Sequence, residues 1–174
     1  MYFRIIINLV LVLVLIAFQS SFLNLLPIVS YLNLLLVISL FVLVMNDLDW
    51  AIVWFLLIAF CLDVFSFNAF GIHLMTLGLV LIISYVLLIN FFTNRSLYSF
   101  LFLVGIATII YDASLLFVDY LYISSTLFVL PNDFWLDELW RLLANLIATG
   151  IIFYILNLFS KRFQPVFLRK KIFR

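Results

Sequence analysis

Residues 97–118 read LYSFLFLVGIATIIYDASLLFV. A helix needs about 20 mostly apolar residues to cross the hydrocarbon core of a bilayer, and this run is long enough. It has no alternation of polar and apolar side chains, so it reads as a helix and not as a barrel strand. Its one formal charge is Asp112. Five further apolar runs flank it, at about 5–23, 29–45, 50–65, 71–92 and 136–159. The expected fold is all-α: a polytopic membrane protein with six transmembrane helices in a single domain, followed by a basic tail at 160–174. The third run is short and ends near Asp63, which leaves its full crossing open. The breaks carry turn chemistry: Asn24 with Pro27, Asn46-Asp47-Leu48-Asp49, Asn68, and Thr93-Asn94-Arg95.

Composition agrees with this pattern. Of 174 residues, 69% are hydrophobic and 10% charged. The charged share of a typical soluble domain is about 25%. The mean hydropathy is +1.39. Nine basic and eight acidic side chains cannot cover a water-soluble fold of this size. Soluble enzymes, nucleic-acid binders and disordered chains are therefore excluded. Cys61 is the single cysteine and His73 the single histidine, so neither an intrachain disulfide nor a Cys/His zinc spacing exists. No cofactor and no metal is expected.

Arg4 followed by an apolar run resembles the start of a signal peptide. The stretch Ala17-Phe18-Gln19-Ser20-Ser21-Phe22 has no small-x-small cleavage site, so an uncleaved first helix is expected. Six spans put both termini on one side, together with the turns near Asp47 and Arg95. That side holds Arg4, Arg95, Lys161, Arg162, Arg169, Lys170, Lys171 and Arg174, which is eight of the nine basic residues. Only Arg141 falls on the other side. The excess of Lys and Arg assigns the termini to the cytoplasm. The tail residues alternate with Phe163, Phe167 and Phe173, which suits an anchor on anionic lipid or a dock for a cytoplasmic partner. The long outer connection, about 119–135, carries Tyr120, Tyr122, Phe128, Phe134 and Trp135. It reads as a segment lying on or dipping into the outer interface.

Charged groups inside a membrane are costly and usually face protein or water. Asp63 and Asp112 lie about 13 and 15 residues into two outward-running helices, so at 1.5 Å per residue they share a depth roughly 20 Å from the inner face. Asp119 lies two turns beyond Asp112 on the same face. His73, Arg141 and Asn145, near the outer starts of the fourth and sixth helices, reach the same depth. The expected site is an outer-half polar cluster of Asp63, His73, Asp112, Arg141 and Asn145, with an Asp–Arg pair offsetting part of the desolvation cost. Three readings stay open: a tie between helices, the wall of a partner-binding groove, and a substrate or proton site. His73 is read as the hydrogen-bonded neighbour of a carboxylate. Gly71 with Gly78, and Ala144 with Ala148, are read as helix-packing faces.

No His-Glu-x-x-His pair, Gly-x-Ser-x-Gly elbow or phosphate-cradling glycine loop occurs. Two aspartates at one depth resemble the dyad of lipoprotein signal peptidases. The Asn-, Gly- and Arg-rich motifs that surround that dyad are missing here.

The stretch Cys61-Leu62-Asp63-Val64-Phe65-Ser66-Phe67-Asn68-Ala69-Phe70-Gly71-Ile72-His73-Leu74 resembles the central motif of MreD, the bacterial rod-shape-determining membrane protein. In that family an apolar helix ends in Leu-Asp or a similar pair, a short Ser/Asn-type turn follows, and Leu-Gly lies eight residues after the Asp. Asp63 and Gly71 match this spacing, with Phe70 in the Leu place. Asp112 also resembles the family pattern. Length, six spans, cytoplasmic termini and a basic tail extend the likeness over most of the chain. The second and third helices carry fewer glycines than the family pattern.

The resemblance implies a non-enzymatic scaffold of the inner membrane. Its partners would be an MreC-like protein and, through it, MreB, RodA and a class B penicillin-binding protein, with peptidoglycan insertion and cell shape as the outcome. It also implies a distant likeness in fold to the substrate-binding component of energy-coupling-factor vitamin transporters, which is the alternative function. Transporters of that kind usually carry a small-residue motif on the first helix, and here Ala-x-x-x-Ala occurs only on the sixth.

Overall fold

A computed structural model describes residues 2–21, 30–45, 48–66, 70–91, 96–123 and 134–163. These residues form six helices: α1 (Tyr2–Ser21), α2 (Leu34–Met45), α3 (Leu48–Phe65), α4 (Ile72–Asn90), α5 (Leu97–Ile123) and α6 (Phe134–Phe163). Four of them contain spans long and apolar enough to cross a membrane: Leu48–Phe65, Ile72–Asn90, Leu97–Val118 and Phe134–Leu156. The third run, whose crossing the sequence left open, is therefore long enough. The second is not. α2 has 12 residues, or roughly 18 Å of helix against a core of about 30 Å. It begins at Leu34, where the expectation was a start near 29. α1 has 20 residues, Tyr2–Ser21, and its described apolar part is Ile7–Ser21. Among the described residues four helices are thus long and apolar enough to span, and the expected six full-length spans are not confirmed.

The last two helices exceed their expected bounds. α5 continues past 118 to Ile123, and α6 runs from Phe134 to Phe163. Both ends of the expected interfacial connection, 119–123 and 134–135, are therefore helix. The rest of it, 124–133, lies outside the described residues, as do the turn residues Asn24, Pro27, Asp47 and Asn68, the Arg95 turn, and the tail residues Arg169, Lys170, Lys171 and Arg174.

The arrangement is organised around the shortest helix. Among the described residues, α2 touches each of the other five, whereas α1 touches only α2 and α3, and α6 touches only α2 and α5. The order α1–α3–α4–α5–α6 therefore forms an arc around α2, and the arc is open between α1 and α6. The composition of α2 explains its central place. LLLVISLFVLVM contains no charge, and Leu35, Leu36, Val37, Leu40, Phe41 and Leu43 are all buried. Against them pack Val12 and Ile16 of α1, Phe55 and Ile58 of α3, Val80 of α4, and Leu103 and Val104 of α5. Phe41 meets Phe100 of α5 with ring centroids 4.1 Å apart. One stripe of α2 escapes full burial: Leu34, Ile38, Val42 and Met45 are half-buried, at the spacing of one helix face.

Glycine contributes less to packing than expected. A Cβ at Gly78 would meet nothing within 4 Å, so Gly71 and Gly78 do not form a close-contact stripe, and Met75 beside them is exposed.

The hub position of α2 sets a testable expectation. Truncating a fully buried Leu costs about 2–5 kcal/mol. Leu40→Ala should lower the thermal midpoint in detergent far more than Ile82→Ala, whose side chain is exposed. Equal midpoints for the two variants would contradict the central placement of α2.

Candidate functional site

α2, α4 and α6 begin at the same end of the bundle at which α1, α3 and α5 finish. Two of these starts are buried, and a buried helix start is a chemical problem. The first turn of a helix leaves backbone N–H groups without intrahelical acceptors. Inside a membrane each must be satisfied by protein. The polar residues of this end supply the acceptors.

Asp63, near the end of α3, is 4% exposed. One carboxylate oxygen accepts the backbone N–H of His73 at 2.9 Å and the other that of Leu74 at 3.1 Å. The residue that would normally cap α4 is Gly71, which has no side chain to do so and sits at φ 100°. That left-handed conformation is natural only for glycine. It closes the α3–α4 turn, and Met75 N–H still bonds the Gly71 carbonyl at 3.0 Å. The cap is thus supplied from eight residues upstream. A carboxylate also suits the positive end of the helix dipole. Asp63 and Gly71 are two parts of one device.

The start of α2 is capped by amides. Asn33 Oδ1 accepts Leu36 N–H at 3.1 Å, Gln19 Oε1 of α1 accepts Leu35 N–H at 3.0 Å, and Asn145 Oδ1 of α6 accepts Asn33 N–H at 2.9 Å. Asn145 is 1% exposed and donates its Nδ2 to Thr108 Oγ1 of α5 at 3.1 Å. Thr108 and Thr149 bond their own helix carbonyls, at Val104 and Asn145.

Tyr111 lies against the α4 cap, its hydroxyl 3.2 Å from His73 Nδ1. The result is two bonded groups at one end of the bundle: Asp63, His73 and Tyr111 on one side, and Asn33, Asn145 and Thr108 on the other. Beyond it, Arg141 donates to Asp112 at 3.0 Å, with side chains 48% and 8% exposed respectively. Further out, the Tyr31 hydroxyl donates to Asp137 Oδ1 at 3.2 Å. That bond and the carboxylate charge raise the Tyr31 phenol above its ordinary pKa.

The sequence-selected residues thus fall at one end, but in two subsets. Asp63 and His73 bind on the α3–α4 side, whereas Asp112 pairs with Arg141 between α5 and α6. His73 approaches Asp63 through its backbone N–H; its ring turns instead to Tyr111. The two aspartates are committed to different partners. Among the described residues, no group of three or more His, Cys, Asp or Glu could hold a metal ion. The side chains of Asp119, Lys161 and Arg162 lie outside the described part of their helices.

Sequence reading missed Gln19, Tyr31, Asn33, Thr108 and Tyr111. Asn33 had a signal: it stands immediately before an apolar run, the N-cap position. Tyr111 had one too, lying beside Asp112. Gln19 and Thr108 carry no charge, so depth arithmetic on ionisable groups passes over them.

No family model, no curated protein and no solved structure matches this chain.

The Asp112–Arg141 pair gives a double-variant test. Removing one partner of a largely buried hydrogen-bonded group typically costs about 1–3 kcal/mol. Arg141→Leu should lower the thermal midpoint, and Asp112→Leu added to it should recover most of the loss. Additive losses would show that the two side chains act independently.

Proposed function

We propose that the chain is a non-enzymatic membrane scaffold of the MreD type. In this reading it lies in the bacterial inner membrane, crosses six times with both termini in the cytoplasm, and receives the membrane segment of an MreC-like protein. Through that partner it joins MreB, RodA and a class B penicillin-binding protein in maintaining rod shape.

The observation that carries the reading is the open arc. Among the described residues α1 and α6 do not meet, and α2, which touches both, carries the half-buried stripe Leu34, Ile38, Val42 and Met45. Transmembrane helices associate through van der Waals packing and close approach rather than through the hydrophobic effect. A single apolar helix from a partner suits such a stripe. The commitment of the polar residues supports the same reading. Both Asp63 oxygens hold backbone N–H groups, and Asp112 holds Arg141, so these carboxylates serve architecture. The Asp63-to-Gly71 likeness gains physical content as well, because both residues build one capped turn.

Affinity purification of the tagged protein in mild detergent, with mass spectrometry of co-purifying chains, tests this directly. Recovery of an MreC-like protein is the expected result, and Ile38→Trp with Val42→Trp should lower that recovery without lowering the thermal midpoint. Recovery of paired ATPases with a coupling membrane subunit would instead make the chain the substrate-binding component of an energy-coupling-factor transporter. In a shape-complementation assay, Asp63→Leu should abolish function and Asp47→Leu should retain it. Equal tolerance of both would remove Asp63 from the argument.

A further inference from the structure

We propose, independently of the scaffold reading, that a water-filled vestibule descends between the segment Ser30–Asn33 and α6 to the middle of the apolar spans. It takes water and small hydrophilic solutes. Three observations carry this.

The first is depth. The apolar span of α6 is Phe134–Leu156, and Asn145 is its midpoint, 11 residues or roughly 16 Å of helix from either end. Thr108, which accepts from Asn145, is likewise 11 residues inside the start of the α5 span, Leu97–Val118. The Asn33 N–H donates to Asn145, so the chain just before α2 lies at mid-span. The second is backbone chemistry. Residues 30–33 are not helical; Ser30 is exposed, and Tyr31, Leu32 and Asn33 are half-buried. Irregular backbone at membrane depth persists only where protein buries it or where it lines water. Protein covers this segment only in part, so water takes the rest. The third is the facing wall. Asp137, Arg141 and Asn145 stand four residues apart and share one face of α6. Asp137 holds the Tyr31 hydroxyl and Asn145 the Asn33 N–H, so this face looks onto the segment. Arg141 lies between them, paired with Asp112, yet its side chain is 48% exposed. That exposure opens toward the segment. The opposite face of α6, with Leu136, Leu143, Ile147 and Tyr154 exposed, is the one that suits lipid. A guanidinium this deep is costly in hydrocarbon and is at home in water. The floor of the vestibule is the Asn33–Asn145 bond. Asn145, Leu35 and Leu36 are each 1% exposed, so water stops short of the first turn of α2.

The test is thiol reactivity in lipid nanodiscs, whose two faces are both open to reagent, so the direction of insertion does not enter. In a Cys61→Ala background, Leu32→Cys places a thiol in the segment. Leu143→Cys places one two residues beyond Arg141, on the opposite face of α6. A charged methanethiosulfonate should modify position 32 at least about tenfold faster than position 143, because a thiolate and a charged reagent meet in water and not among acyl chains. Slow modification at both positions would overturn the proposal by showing that protein or lipid closes the space. Fast modification at both would overturn it by placing this level of α6 outside the hydrocarbon. Ser30→Cys gives a second probe against the same control if Leu32→Cys lowers the thermal midpoint. None of these outcomes depends on which partner co-purifies with the chain.

Discussion

The structure depends on one constraint: a helix that starts in a low-dielectric layer must have its first N–H groups accepted by side chains. α2 and α4 both start there. The acceptors come from four other places in the chain: Asp63 on α3, Gln19 on α1, Asn33 just before α2, and Asn145 on α6. An unmet donor in this setting costs several kcal/mol. Much of the buried polarity on this end follows from that need. The same bonds fix the relative heights of the helices, because each joins a helix start to the flank or end of another.

The apolar part of the fold was legible because it rests on run length. The span at 97–118, the helix ending near Asp63 and the one beginning after Gly71 were all readable from uninterrupted apolar residues and turn chemistry. α2 was misjudged for a physical reason. Residues 29–33, Val-Ser-Tyr-Leu-Asn, are apolar enough on average to join the run that follows, yet Asn33 takes the cap position and stops the helix there. Mean hydropathy does not register a cap. At the other end, Asp119 looked like a boundary of α5, but the helix continues past it to Ile123.

The polar layer was legible in depth but not in pairing. Counting residues from the inner face put Asp63, His73, Asp112, Arg141 and Asn145 at one end, and the structure has them there. The count cannot say that a carboxylate will bind backbone N–H groups ten and eleven residues ahead when an arginine is also in the same half of the membrane. Gly71 decides that. With no side chain of its own at the cap position, α4 must borrow one, and the left-handed turn points the helix start back at Asp63. Proximity in the chain then outweighs charge pairing across the bundle. Arg141 is left to Asp112 on the adjacent helix.

The Asn33–Asn145 bond joins residues 112 positions apart. A ribosome makes α2 long before it makes α6, so the acceptor for that backbone group does not yet exist when α2 enters the membrane. Until α6 arrives, the hub of the bundle is held from one side only, by α1, α3, α4 and α5. The last helix therefore acts as a latch, and synthesis order makes late assembly an inherent property of this architecture. A chain that stops short of Asn145 contains nearly all of the apolar core but lacks the amide that closes it.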